Sequence, residues 1–372
     1  MRGPFVMISV RKFLFLLLLV PSLACSGEWR LALPGWEYEF PRDHYDHPEF
    51  KTEWWYITGN LEAEDGRQLG FQWTLFRQGV RPPGGELVTS SEFVNDSFYF
   101  AHCAVSDITA KKFRYEQLVS RGAFDEAGVH GAPHESGKIG WIGDWGIWHG
   151  EPVDGDESFS ITGAAEDAEL DLKFISRKAP VINGTTGCSQ KADGAGNATH
   201  YYSLTRLETS GTVTIDGKVH RVSGWSWKDR EWGSNQLTEN QTGWDWFSIH
   251  FDDGSDLMLY QLRTVDGGTD PNSSGSYTDS KGVKTHLTRD DFTLTPLRKW
   301  KSEETEGEYP VEWKISVPKF GIEATSKAEF DAQELALPII AYWEGAIEVV
   351  GTKNGEGYLE LSGYAGSLGG LK

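Results

Sequence analysis

The chain has 372 residues and a formal net charge of −20, with 13% aromatic residues, 16 tryptophans, 43 glycines and 3 methionines. That length allows two domains with separate cores, and the acidic balance argues against a phosphate-binding surface and so against nucleic acid as a partner. Many tryptophans and glycines beside few methionines point to strands, tight turns and aromatic-lined cavities rather than a helical bundle.

Residues 1–24 read as a secretory signal peptide. Arg2, Arg11 and Lys12 supply positive charge, residues 13–20 form an unbroken apolar run, and Ser22 and Ala24 are the small residues that a signal peptidase needs. The run is too short for a stable membrane span. Cleavage after Ala24 leaves Cys25 first, which opens membrane association through lipidation, although Ser22 stands where a lipobox has Leu. The expected location is outside the cytoplasm: secreted, periplasmic or on the cell surface. Asn95, Asn183, Asn197, Asn240 and Asn272 sit in glycosylation sequons, the mark of a glycoprotein. Cys103 and Cys188 are free to pair in an oxidising compartment, a pairing that spacing leaves open.

Residues 25–48, rich in Pro, His and aromatics, read as an extended leading segment. Two apolar runs, 53–61 and 69–77, then flank Asp65-Gly66 and predict a hairpin. The same grammar recurs at 212–222 around Asp216-Gly217, at 247–263 around Asp253-Gly254 and at 346–361 around Asn354-Gly355. Helix-period segments are few; residues 331–335 predict a helical turn or two. Residues 182–198 are Gly-rich and polar, as in a long functional or covering loop. After Gly233 the composition resets, with a polar stretch at 234–242 before Gly243-Trp244-Asp245-Trp246-Phe247 opens a fresh strand. Repeated hairpins with little helix predict an all-β chain of two similar antiparallel β-barrels in tandem, an N-terminal one at 49–235 and a C-terminal one at 236–368.

Chemistry is sparse outside one stretch. Ser226, in Gly-Trp-Ser-Trp-Lys, lacks the second glycine of a nucleophile elbow, and Ser189 has no elbow either. Asp43-His44-Tyr45-Asp46-His47, with His130 and His134 farther on, has no Cys pairs and no His-Glu-x-x-His motif beside it, so its histidines read as hydrogen-bonding groups and no metal is expected. Residues 224–233 carry three tryptophans and four charges between two glycines. As a strand they place Trp225, Trp227, Asp229 and Glu231 on one face and Ser226, Lys228, Arg230 and Trp232 on the other. A carboxyl beside indoles is raised by burial and suited to acid catalysis, whereas salt bridges from Asp229 and Glu231 to nearby Arg or Lys would make the stretch a domain tie. His200 and Tyr202 share a face of the preceding strand, and the turn at Asp216-Gly217 is expected to bring them to one cavity with Trp227 and Asp229.

Glu53-Trp54-Trp55-Tyr56, Ala101-His102, Gly187-Cys188-Ser189-Gln190-Lys191, the run 197–206, residues 224–233, the run 243–247 and Tyr342-Trp343-Glu344-Gly345 resemble the AttH-like family, which is related to carotenoid 1,2-hydratase (hydroxyneurosporene synthase). The resemblance implies two lipocalin-like β-barrels in tandem. Carried over by position, it implies His200, Tyr202, Trp227 and Asp229 as the catalytic set. Tyr202 and Trp227 stand where the hydratase has Trp and Tyr, and His200 where many AttH-like relatives have Tyr, which places the chain nearer the AttH branch. The chemistry so implied is hydration of a C=C bond. Asp229 protonates the alkene, and the faces of Trp227 and Tyr202 stabilise the cation by about 0.5–2 kcal/mol each. His200 positions or deprotonates the water. The ligand, an isoprenoid or lipid-like apolar chain, is expected inside the barrel beside Trp225, Glu231, Trp54, Tyr56, Trp73 and His102, with no cofactor. A non-catalytic protein that binds lipid or another hydrophobic ligand, a secreted hydrolase and a cyclase remain open on the same fold.

Overall fold

Short alternating apolar runs closed by Asp-Gly and Asn-Gly turns make strands of almost the whole chain. The computed structural model describes residues 27–84, 96–235, 237–337 and 340–366. The signal segment, Cys25 and Asn95 lie outside the described residues. The first sheet contains β1 (Thr52–Ala63), β2 (Gln68–Gly79), β3 (Ser97–Asp107), β4 (Lys112–Ser120), β5 (Ala127–Val129), β6 (Lys138–Ile142) and β7 (Trp145–His149). It continues with β8 (Ser158–Ala165), β9 (Ala168–Ser176), β10 (Val181–Ile182), β11 (Ser189–Gln190), β12 (Ala198–Ile215) and β13 (Lys218–Gly233). The second contains β14 (Gln241–Phe251), β15 (Asp256–Thr264), β16 (Ser274–Thr278), β17 (Lys284–Thr288), β18 (Thr293–Lys301), β19 (Glu308–Val317), β20 (Ile322–Ala328), β21 (Glu334–Ala336), β22 (Ala341–Gly351) and β23 (Gly355–Ser362).

Both sheets are antiparallel and curled. The first runs β4-β3-β2-β1-β13-β12-β9-β8-β7-β6-β5, and β3 and β4 pack back against β6 and β8, so it nearly closes into a barrel. The second runs β17-β16-β15-β14-β23-β22-β20-β19-β18 and forms a half-barrel. The four Asp-Gly and Asn-Gly hairpins are all present. At Asp216-Gly217 both residues have positive φ (51° and 76°), the two-residue turn that only such a pair adopts cheaply.

The alternation builds three large cores and a smaller cluster around Ala104, Leu335 and Tyr342. One fills the first barrel around Trp55, Phe71, Trp73, Phe174 and Trp232, and one fills the half-barrel around Phe247, Trp313, Trp343 and Leu359. The third lies between the two sheets and joins Tyr56, Tyr201, Trp227, Trp246, Tyr260 and Tyr358. Outer strands such as β9 alternate strictly between buried and exposed, whereas β1 and the second half of β13 are buried on both faces. These central strands are sandwiched, with one face in the barrel core and the other against the second sheet.

Several expectations change here. Residues 331–335 are not helical, and the described helices are four three-residue 3₁₀ turns. The Gln333 amide instead packs over Gly345, bonds both the N–H and the C=O of Ala346, and leads into β21, which pairs with β22. Residues 182–198 are only partly loop, because β10 and β11 add to β12. Asn183 is a structural amide rather than an exposed sequon: it is 1% exposed and donates to Ser203 Oγ at 2.8 Å. Cys103 and Cys188 are both buried free thiols.

Candidate active site at the seam between the sheets

Register decides which residues meet. Counted back without interruption from the Ile215–Lys218 pair, Asp229 would lie opposite Leu204 and would share a face with His200 and Tyr202. A β-bulge between Leu204 and Leu207 shifts the pairing by one residue, so Asp229 lies opposite Ser203 and Glu231 opposite Tyr201. One extra residue exchanges the two faces of the strand beyond it. The expected grouping of His200 and Tyr202 with Asp229 is therefore wrong: both point into the first barrel. His200 Nδ1 donates to Gly187 O at 3.2 Å beside the Trp36 ring, and Tyr202 Oη lies 2.6 Å from His44 Nδ1. Trp73 also faces the barrel core, where its Nε1 donates to Thr162 O.

Asp229 lies on the seam face and is 3% exposed. Tyr201 Oη donates to its Oδ2, and Ser203 Oγ and Trp227 Nε1 donate to its Oδ1, each at 2.6 Å. All three donors are neutral. The salt-bridge alternative fails for this residue, since Arg206 is held by Asp256 and Arg230 by Glu53. It holds for Glu231, whose Oε2 lies 3.3 Å from Lys191 Nζ. Burial raises the Asp229 carboxyl to about 7 against the lowering effect of its three hydrogen bonds.

The opposite wall comes from the second sheet. Trp246 Nε1 donates to Tyr201 Oη at 3.3 Å, extending the chain of donors that ends on Asp229. Tyr56 pairs with Asp229 across β1 and β13, and its hydroxyl donates to Glu344 Oε1. Glu344 stands opposite Glu360 on β22 and β23; burial pushes Glu360 up to about 7 and Glu344 well above the usual range. The Lys191 ammonium lies over the rings of Tyr260 (4.2 Å) and Tyr201 (5.1 Å). Trp54 packs on the edge of this cluster, and His102 Nδ1 reaches Tyr342 Oη at 2.7 Å.

A cavity of about 570 Å³ opens at one end of the seam, lined by Trp225, Arg206, His250 and Glu356 among others. His250 Nε2 donates to Thr205 O in the bulge at 2.7 Å, which leaves its buried Nδ1 as a lone pair without a partner. Burial depresses this imidazole to about 4, so it is neutral at pH 7. Its ring centroid is 5.9 Å from that of Trp227. The barrel interior, where an apolar chain was expected, is filled by Trp55, Ile57, Phe71 and Trp73 at 0% exposure. The cavity lined by Trp225 and His250 adjoins the seam instead.

A family model described as AttH-like matches residues 31–364. The chain belongs to the AttH-like family. A crystal structure of an AttH protein from Nitrosomonas europaea superposes with a TM-score of 0.79 at 34% identity, covering 90% of this chain and 99% of that one. Kievitone hydratase from Fusarium solani subsp. phaseoli is 25% identical over 214 residues; the match spans 54% of this chain and 56% of that protein, so it takes in about half of the relative's length. The crystal structure of kievitone hydratase from Nectria haematococca shares the fold, with a TM-score of 0.67 at 14% identity over 91% of this chain and 99% of that one. The AttH-like motifs that are scattered in the sequence meet at the seam: Tyr56, His102, Lys191, Asp229 and Glu344 come from five separate stretches.

Tyr201 and Ser203 in the run 197–206 and Trp246 in the run 243–247 also belong to this site, although the sequence reading did not single them out, and His250 and Glu360 lie outside the AttH-like motifs. Tyr201 and Ser203 would have been found had the bulge been placed. His250 and Glu360 depend on how the second sheet packs on the first.

Proposed function

We propose that this AttH-like protein is an exported, cofactor-independent hydratase that adds water across a C=C bond of an apolar, isoprenoid or lipid-like ligand at the seam. The observation that carries the reading is the Asp229 carboxyl, buried among Trp227, Tyr201 and Tyr56 with neutral donors alone and raised to about 7. Such a carboxyl holds a proton near neutrality and can give it to an alkene carbon. The resulting carbocation is stabilised by the faces of Trp227, Trp246 and Tyr56, about 0.5–2 kcal/mol each. Water then adds to the cation, and its proton passes to the free Nδ1 of His250, the role first expected of His200. Proton transfer from His250 to Asp229 through solvent restores the starting state. Ligand enters by the cavity at Trp225, whose size lies within the range of small-molecule sites. The likeness to kievitone hydratase, a hydratase by name, supports the reaction class. Export rests on the leading signal segment, and lipidation at Cys25 would hold the protein at a membrane.

The test is incubation of the purified protein with acyclic isoprenoids, with product read by mass spectrometry. Wild type should give the adduct of one water, and Asp229→Asn should bind the same ligand and form product at least about 100-fold more slowly. Because Asp229 must be protonated and His250 neutral, the wild-type rate should be flat between pH about 4 and about 7 and fall on either side. Equal ligand binding by both proteins with no product from either would establish a non-catalytic binding protein instead.

A further inference from the structure

Tyr202 and Lys228, which the seam does not use, lie on the barrel face of β12 and β13 beside a second group of polar side chains. His44 ends the 3₁₀ turn Arg42–His44, His149 ends β7, and Glu157 immediately precedes β8. His44 Nε2 is 3.0 Å from Glu157 Oε1, and His149 Nε2 is 3.9 Å from the same oxygen. One donor atom from each of the three lies within 4.8 Å of the other two. Around a tetrahedral ion with bonds of about 2.1 Å, donors sit about 3.4 Å apart, so these separations bracket what an ion needs.

Two further observations point the same way. His149 Nε2 is a buried nitrogen with no hydrogen-bond partner. His44 is fully buried, and its Nδ1 lies 2.6 Å from Tyr202 Oη. As it stands His44 donates Nε2–H to Glu157 Oε1 at 3.0 Å and accepts the Tyr202 hydroxyl at Nδ1, so an ion would take the place of the Nε2 proton between His44 and Glu157, with Tyr202 fixing the ring from its other side. Lys228 Nζ donates to the far side of the same phenol at 3.2 Å and helps to fix it. The residues Asp43 and His47 that surround His44 in sequence are spent on each other, at 3.1 Å.

We propose that His44, His149 and Glu157 bind one divalent transition-metal ion of the zinc type, with Tyr202 as the residue that positions His44. Two imidazoles and a carboxylate are borderline donors suited to such an ion, and three protein ligands leave a position for water. Glu157, at 28% side-chain exposure, gives the ion a path from solvent. This centre lies on the opposite face of β13 from Asp229, so the two sites are independent.

The protein, stripped with EDTA, is titrated with Zn²⁺ by calorimetry and with Co²⁺ by its visible absorption. One ion per chain should bind in wild type and in His134→Ala, which alters the stacked surface pair His130–His134, the competing adventitious site. His149→Ala and Glu157→Gln should weaken binding by roughly 100-fold, and Tyr202→Phe by about 10-fold. Melting temperatures of the stripped proteins show whether each variant is folded; Glu157→Gln, at a partly exposed position and isosteric, keeps the test open if His149→Ala fails to fold. Absence of saturable binding in wild type, or binding kept in Glu157→Gln and lost in His134→Ala, overturns the proposal.

Discussion

Asp229 illustrates how strongly a few ångströms of surroundings act on one carboxyl. Its neighbour Glu231, two residues on, faces the same seam yet meets the ammonium of Lys191. Asp229 meets only an indole, a phenol and a hydroxyl, so burial wins. Those donors still favour the charged form, and removing one must raise the carboxyl further. Trp227→Phe deletes the Nε1–H donor to Oδ1. A hydrogen bond to a charged acceptor contributes about 1.5 kcal/mol, so the alkaline limb set by Asp229 should move to higher pH by about one unit. A pH–rate profile, or an NMR titration of the carboxyl, measures this; a limb that stays or moves lower would show that Trp227 does not hold Asp229. The carboxyl between tryptophans was legible in the sequence. Its partners Tyr201 and Ser203 were not, because they depend on the bulge.

At the scale of elements, that bulge is the decisive feature. Thr205 and Arg206, the two residues that stand opposite one at it, both bond Asp256 on β15, so the irregularity is where the first sheet is fastened to the second. Lys178 joins the same carboxylate at 2.6 Å. The strands on the other side of β13 approach with no room to spare: a Cβ on Gly224 would lie 2.0 Å from Asn60 O of β1. Gly224→Ala should therefore force β1 and β13 apart and lower stability by about 1–3 kcal/mol, read as a lower urea midpoint. A variant as stable as wild type would contradict that approach. The stretch 331–335 shows the opposite limit of local reading. Helix propensity yields there to Glu334, whose carboxylate takes the hydroxyls of Ser302 and Thr305 in the turn between β18 and β19 and of Tyr309 on β19.

For the molecule as a whole, the two sets of buried titratable groups oppose each other. His44, His200 and His250 are held neutral by burial, with pKa values near 4. Their folded values lie below the unfolded one, so they add stability as pH rises through about 4 to 6.5. Asp229 and Glu360, pushed up to about 7, act in reverse: their contribution is full below pH about 4 and is lost as pH rises towards 7. Replacing both by Asp229→Asn and Glu360→Gln removes only the second effect. Urea unfolding at pH 5 and pH 7 should then show stability rising more steeply with pH in the double variant than in wild type, by at most about 5 kcal/mol. Parallel behaviour would mean that the two carboxyls are not buried as described.

The sequence by itself determined that the chain is all-β, where its Asp-Gly and Asn-Gly turns fall, which family it belongs to and that Asp229 is its most unusual carboxyl. Those properties are local: alternation, turn chemistry and motif order need no partner strand. Only the tertiary structure decided that the first barrel is filled while a cavity opens at the seam, and that Asp229 faces Tyr201, Ser203 and Trp246 instead of His200 and Tyr202. It also brought His149 and Glu157 to His44. The reason is register. One looped-out residue reverses the faces of a strand, and groups more than a hundred residues apart meet only when a sheet has curled on itself or two sheets have packed.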